Sequence, residues 1–120
     1  DEYIAQEVGR QVEEIHRRTA LYRRARPPLD VTGRECIVID DGVATGGTAE
    51  VALRSLRAQG AARVVLGIPV APEESLERLR AIADETICLA TPAPFASVGQ
   101  WYGRFPQVSD DEVLDALGVA

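Results

Sequence analysis

Apolar residues follow two different periods along this chain. From residue 2 to about 22, Ile4, Val8, Val12, Ile15, Thr19 and Tyr22 recur at helical spacing and mark one stripe of an amphipathic helix. Between residues 35 and 90 the pattern becomes short, continuous apolar runs separated by helical stripes. Ile37-Val38-Ile39, the segment Arg63–Val70 and the segment Thr86–Ala90 read as buried strands of a parallel sheet. Between the first two, Thr48–Gln59 places Ala49, Ala52, Leu53 and Leu56 on one face, and Gly60 supplies a C′ stop. A third helix opens at Pro72 with Glu73-Glu74 and sets Leu76, Leu79, Ile82 and Ala83 on its apolar face. Strand–helix–strand–helix–strand with short connections predicts right-handed βαβ units, hence an α/β fold with a parallel sheet and flanking helices.

After Thr91 this order breaks. Pro92, Pro94, Phe95, Gly99, Trp101, Tyr102, Gly103, Phe105 and Pro106 crowd a short stretch. Ser109 and Glu112 then form a capping box before a last helix carrying Val113, Leu114 and Leu117. The expected organisation is one partial domain over 1–120: a helix and basic flap region at 1–26, a βαβαβ core at 35–90, and an aromatic-rich tail with a terminal helix at 91–120. Three strands are too few to cover such a sheet, so the chain is expected to expose an apolar edge and to be an incomplete portion of a full domain. It has no methionine and begins inside a helix at Asp1, which predicts a processed or excised part of a longer polypeptide.

Composition narrows the function. A net charge of −6 disfavours nucleic acid as a partner. No apolar stretch is long enough to span a bilayer and there is no secretory signal, so a cytoplasmic protein is expected. Cys36 and Cys88 each lie in an apolar strand and read as free thiols rather than a disulfide or a metal site. The lone His16 has no Cys or His neighbour and reads as a helix-flank residue. All 13 basic residues are arginines, and Arg17, Arg18, Arg23, Arg24 and Arg26 form a patch with no acid among them.

The chemistry concentrates in Cys36-Ile-Val-Ile-Asp-Asp-Gly-Val-Ala-Thr-Gly-Gly-Thr48. An apolar strand ends in two adjacent acids, Asp40 and Asp41, at the strand end where open α/β sheets bind ligands. Gly42 turns the chain without Cβ strain, and Gly46 and Gly47 let backbone N–H groups converge on an anion. The helix beginning near Thr48 adds its positive end, and Thr45 and Thr48 can donate hydroxyl hydrogen bonds. An ionised carboxylate offers only acceptors and so suits vicinal ribose hydroxyls. A ligand matching both halves carries hydroxyls and a phosphate. Two familiar phosphate loops fit poorly: Thr48 stands where the P-loop lysine would be, and G-x-G-x-x-G is absent.

The segment Ile37–Thr48 resembles the phosphoribosyl pyrophosphate loop of the type I phosphoribosyltransferases. That resemblance implies a Rossmann-like, phosphoribosyltransferase-like fold. It places the ribose 2′- and 3′-hydroxyls on Asp40 and Asp41, which become the catalytic residues, and the 5′-phosphate on Ala44, Thr45, Gly46, Gly47 and Thr48. Gly42 and Val43 complete the donor-binding run. An aliphatic residue is commoner in the family where Gly42 stands. An aspartate is frequent in purine-salvage members where Ala44 stands, and its absence argues against a 6-oxopurine acceptor. Gly67–Pro72 and Phe95–Val113 are similar to the second half of one bacterial branch of predicted phosphoribosyltransferases, in which an acid often stands where Arg104 does.

The resemblance implies a pentosyltransferase that takes the phosphoribosyl group from phosphoribosyl pyrophosphate, with Mg²⁺ arriving on the donor, to a nitrogenous base. The chain itself is expected to contribute no metal ligands. The alternative is a non-catalytic regulatory or sensing module for a phosphorylated ribose or nucleotide; a third is a purely structural α/β piece. Arg23, Arg24 and Arg26 either belong to a mobile flap over pyrophosphate or form a solvated helix end. Trp101 and Tyr102 either stack on an aromatic acceptor or serve core packing or a subunit interface, and a homo-oligomer is expected.

Overall fold

The structure, a computed structural model, describes residues 1–118. Its elements in chain order are α1 (Glu2–Ala25), β1 (Glu35–Ile39), α2 (Gly47–Ala58), β2 (Arg63–Val70), α3 (Glu73–Arg80), β3 (Glu85–Ala90), a 3₁₀ turn (Gly99–Trp101) and α4 (Asp110–Ala116). They fall into two compact units, one holding residues 30–105 and the other holding 1–29 with 106–118.

The larger unit is the expected α/β core. Its three strands lie in the order β1-β2-β3, all parallel, with Cys36 opposite Val64 and Leu66 opposite Thr86. Helix α2 packs on β1 and β2, and α3 packs on β3. The core between helices and sheet contains Leu53 from α2, Val64, Leu66 and Ile68 from β2, and Leu76 and Leu79 from α3. Leu53, Leu66, Leu76, Leu79 and Val64 are fully buried, each stabilising the unit by roughly 1.5–3 kcal/mol relative to exposure. Helix α3 stops at Arg80, short of Ile82 and Ala83, yet both remain packed against the core because Leu79 O accepts from their amides. Gly60 takes φ +89° just beyond α2, the left-handed stop its position predicts. At the N-terminal edge of the sheet, Arg63 on the central strand pairs with Glu35 at 2.9 Å and Glu85 at 2.7 Å.

One expectation needs correcting. The apolar run Ile37–Ile39 is not buried throughout: Val38 is half-buried on the helix side, whereas Ile37 and Ile39 are 61% and 73% exposed. Ile87 and Leu89 on β3 are likewise exposed. Side chains alternate across a strand, and both helices lie on one side, so the uncovered apolar surface is a whole sheet face rather than an edge. The half-buried Cys36 and Cys88 are free thiols.

The smaller unit pairs α1 with α4. Arg17 donates to Asp110 Oδ2 at 2.8 Å, the Tyr22 hydroxyl donates to Asp110 Oδ1 at 2.8 Å, and Arg26 Nε donates to Leu117 O at 3.0 Å. The capping box at Ser109 and Glu112 is formed in both directions. Helix α1 runs one turn beyond the expected end and takes Arg23 and Arg24 into its last turn. Its apolar stripe stays open, with Ile4, Val8, Val12 and Ile15 all exposed. No helix among the described residues is long and apolar enough to cross a membrane.

Candidate functional site

Strand β1 ends at Ile39 and hands the chain to Asp40, whose amide still donates to Gly67 O on β2 at 3.3 Å. Asp41 turns out of the sheet, and its amide donates to Asp40 Oδ1 at 2.8 Å. Val43 N donates to Val70 O at 3.1 Å, tying the loop to the end of β2. Gly42 makes that approach possible: its φ is +151°, and a Cβ there would stand 2.9 Å from Val70 O and 3.0 Å from side-chain carbons of Val70 and Val98. Gly46 caps α2 at φ +87°, in the left-handed region, and its carbonyl accepts the first helical bond, from Glu50 N at 2.9 Å.

The result is a shallow depression of about 220 Å³ lined by Asp40 and by Gly42 through Ala49. Its floor is apolar and closed, with Val43 and Ala49 buried, while Ala44, Thr45, Gly47 and Thr48 stay open to solvent. No amide from Ala44 to Thr48 has a protein acceptor among the described residues. Unpartnered N–H groups gathered at a helix start form a cup for an anion. Thr45 Oγ1 lies on the Gly47 side of this cup, 3.9 Å from where a Gly47 Cβ would stand.

Asp40 faces the cup. Asp41 is exposed beside it and does not line the depression. Partial loss of solvation raises the Asp41 carboxyl above its ordinary range, and the hydrogen bond and negative charge of Asp40 add to the rise. A carboxyl perturbed in this way at the mouth of a depression marks a candidate binding site.

The other candidates have definite places. The Tyr102 hydroxyl donates to the Asp41 carbonyl, and its ring packs on Phe105 with centroids 5.1 Å apart. Trp101 packs on Phe95 at 5.8 Å. Arg23, Arg24 and Arg26 lie in the other unit, at the end of α1. Two polar contacts were not expected from the sequence. Ser75 Oγ donates to Ala44 O at 2.6 Å, and Arg78 Nη2 donates to Thr45 O. Both residues sit on α3, three apart and so on one side of the helix, but nothing local points to partners in the preceding loop. A wider groove between α2 and α3 holds Arg54, Arg57 and Arg78. There Glu50 takes Arg54, Asp84 and Ile82 O take Arg57, and Thr45 O takes Arg78.

Comparison with known proteins agrees with this frame. Residues 4–100 match the model of the phosphoribosyl transferase domain. The chain is 48% identical over 108 residues to a Mycobacterium tuberculosis (strain H37Rv) protein named "Putative phosphoribosyl transferase", which covers 90% of this chain and 24% of the relative. A uracil phosphoribosyltransferase of Lactobacillus delbrueckii subsp. bulgaricus is 41% identical over 58 residues, 48% of this chain and 26% of that protein. The crystal structure of TT1426 from Thermus thermophilus superposes with a TM-score of 0.82 at 41% identity, over 98% of this chain and 56% of that one. The chain thus spans about a quarter of the length of the mycobacterial relative it matches.

Proposed function

Since the chain belongs to the phosphoribosyl transferase domain family, we propose that the β1–α2 junction binds the ribose 5-phosphate portion of phosphoribosyl pyrophosphate, and that the full-length protein transfers this group to a nitrogenous base. The observation that carries the proposal is the union of Asp40 with the unpartnered amides of the 44–48 loop in one depression. The amide cup takes the 5′-phosphate, with Thr45 and Thr48 adding hydroxyl donors. Asp40 and Asp41 accept from the ribose diol. Transfer from such a donor passes through a cation-like C1 as pyrophosphate departs, so holding the sugar at both ends and setting negative charge near the ring are the main contributions of this chain.

The residues also fit a Mg²⁺ ion that comes with the donor. Asp40 and Asp41 set negative charge beside the phosphates on which the ion would arrive, and the chain would contribute no ligand of its own to it. When bound, the ion would supply neutralisation of charge on the leaving pyrophosphate.

The test is calorimetric titration of phosphoribosyl pyrophosphate into the full-length protein and into the double variant Asp40→Asn/Asp41→Asn. Loss of measurable binding in the variant is expected. Undiminished donor affinity would remove the assignment.

A further inference from the structure

Ser75 is the one polar side chain buried in the core among the described residues, at 6% exposure. A buried hydroxyl needs a partner, and Ser75 sits in the first turn of α3, where no carbonyl of its own helix lies four residues back. Here Oγ instead reaches across to Ala44 O at 2.6 Å. One turn later Arg78 repeats the contact on the next loop carbonyl, Thr45 O. The side chains of Arg78 and Leu79 also stand 3.4 and 3.6 Å from where a Gly46 Cβ would be, so α3 backs the loop in van der Waals contact.

Peptide planarity gives these contacts a consequence. In a trans peptide the C=O of one residue and the N–H of the next point in opposite directions. Drawing the Ala44 and Thr45 carbonyls towards α3 turns the Thr45 and Gly46 N–H groups away from it. Those two amides have no protein acceptor among the described residues. We propose that Ser75 and Arg78 are positioning residues: by holding two consecutive loop carbonyls, they set the orientation of the amides that receive the donor phosphate. The role rests on the donor-binding function proposed above, and neither side chain touches the donor itself.

Ribose 5-phosphate titrated into the full-length protein, followed by calorimetry and by amide NMR, tests the role. In the wild-type protein the Thr45 and Gly46 amide signals should move on binding. S75A and R78Q should each bind about tenfold more weakly, the worth of one hydrogen bond, with those two amide signals displaced before ligand is added. Gln keeps an N–H donor but is two atoms shorter than Arg and uncharged, whereas Arg78→Lys and Ser75→Thr keep a donor of comparable reach and should retain most of the affinity. Because Arg78 is exposed, R78Q carries the test even if S75A fails to fold. Wild-type affinity in R78Q, or a loss that Arg78→Lys leaves unrepaired, overturns the positioning role while leaving the donor site standing. A wild-type protein that ignores ribose 5-phosphate overturns the donor site, and this role with it.

Discussion

The Tyr102 hydroxyl reaches back 61 residues to donate a hydrogen bond to the main-chain carbonyl of Asp41. The aromatic tail thereby fastens the turn that carries the acid pair, and Val98 closes on Gly42 from the same segment. A fastening of this kind should show in binding more than in global stability. Tyr102→Phe keeps the ring against Phe105 and removes only the hydroxyl, at a cost of about 1 kcal/mol for one hydrogen bond. Expected is a donor affinity several-fold weaker with an unfolding midpoint close to wild type; an unaltered dissociation constant would dissociate the tail from the acid turn.

Protons and donor should compete at the same turn. The Asp41 carboxyl is raised by its loss of solvation and by Asp40, and only its ionised form accepts a ribose hydroxyl without offering a proton in return. Binding should therefore be full above the raised value and weaken as pH falls through it, with a midpoint higher than an ordinary aspartate would give. Within that falling range of pH, donor binding should also release protons. Calorimetry in two buffers of different ionisation enthalpy reads that release directly, and the release should vanish in Asp41→Asn.

How much of this was legible beforehand depends on distance along the chain. The strand, acid pair, glycine loop and helix start are contiguous from Cys36 to Thr48, so their strand–loop–helix order is legible locally. The Ser109–Glu112 box is local too and formed as expected. The exposure of Ile37 and Ile39 was not legible, because a continuous apolar run looks the same whether one face of its strand is covered or both. The roles of Ser75 and Arg78 are not legible for another reason: their partners lie 31 and 33 residues away, and a serine beside a leucine in a helix carries no sign of a remote carbonyl. The aromatic run around Tyr102 points to its ring, whereas its hydroxyl makes the contact to the acid turn.

The helical unit should loosen in acid. Asp110 lies below its ordinary range because Arg17 and then Tyr22 donate to it, and Glu14 is held down to about 2, chiefly by Arg17. A carboxylate depressed by folding contributes stability above its unfolded value, and that contribution is lost as pH falls through the folded value. The window accordingly runs from about pH 4.5 downward to about 2. These groups are only partly buried, so salt should shrink the effect. Tyr22 is raised by the same Asp110 bond, so its contribution is present below its ordinary value and fades in strong alkali. The α1–α4 contacts, followed by NMR between pH 5 and 2, should weaken with acid in the wild-type protein, and in Asp110→Asn should be weakened already at pH 5 and change less on acidification.

Gly42 offers the sharpest backbone test, because the resemblance of this loop to the type I phosphoribosyltransferases implies an aliphatic residue there. In this chain the residue takes φ +151°, and any Cβ would stand 2.9 Å from Val70 O, a main-chain atom that cannot swing aside. The same carbonyl accepts from Val43 N, so relieving the clash would break the bond that ties the loop to β2. Gly42→Val should thus cost about 1–3 kcal/mol, as a side chain forced into a disfavoured backbone region does, and should lower donor affinity by displacing the amide cup. Denaturant unfolding and donor titration of the same variant measure the two effects separately. A variant as stable and as tight-binding as the wild-type protein would show that the turn can adopt the commoner backbone, and that the close approach to Val70 is dispensable.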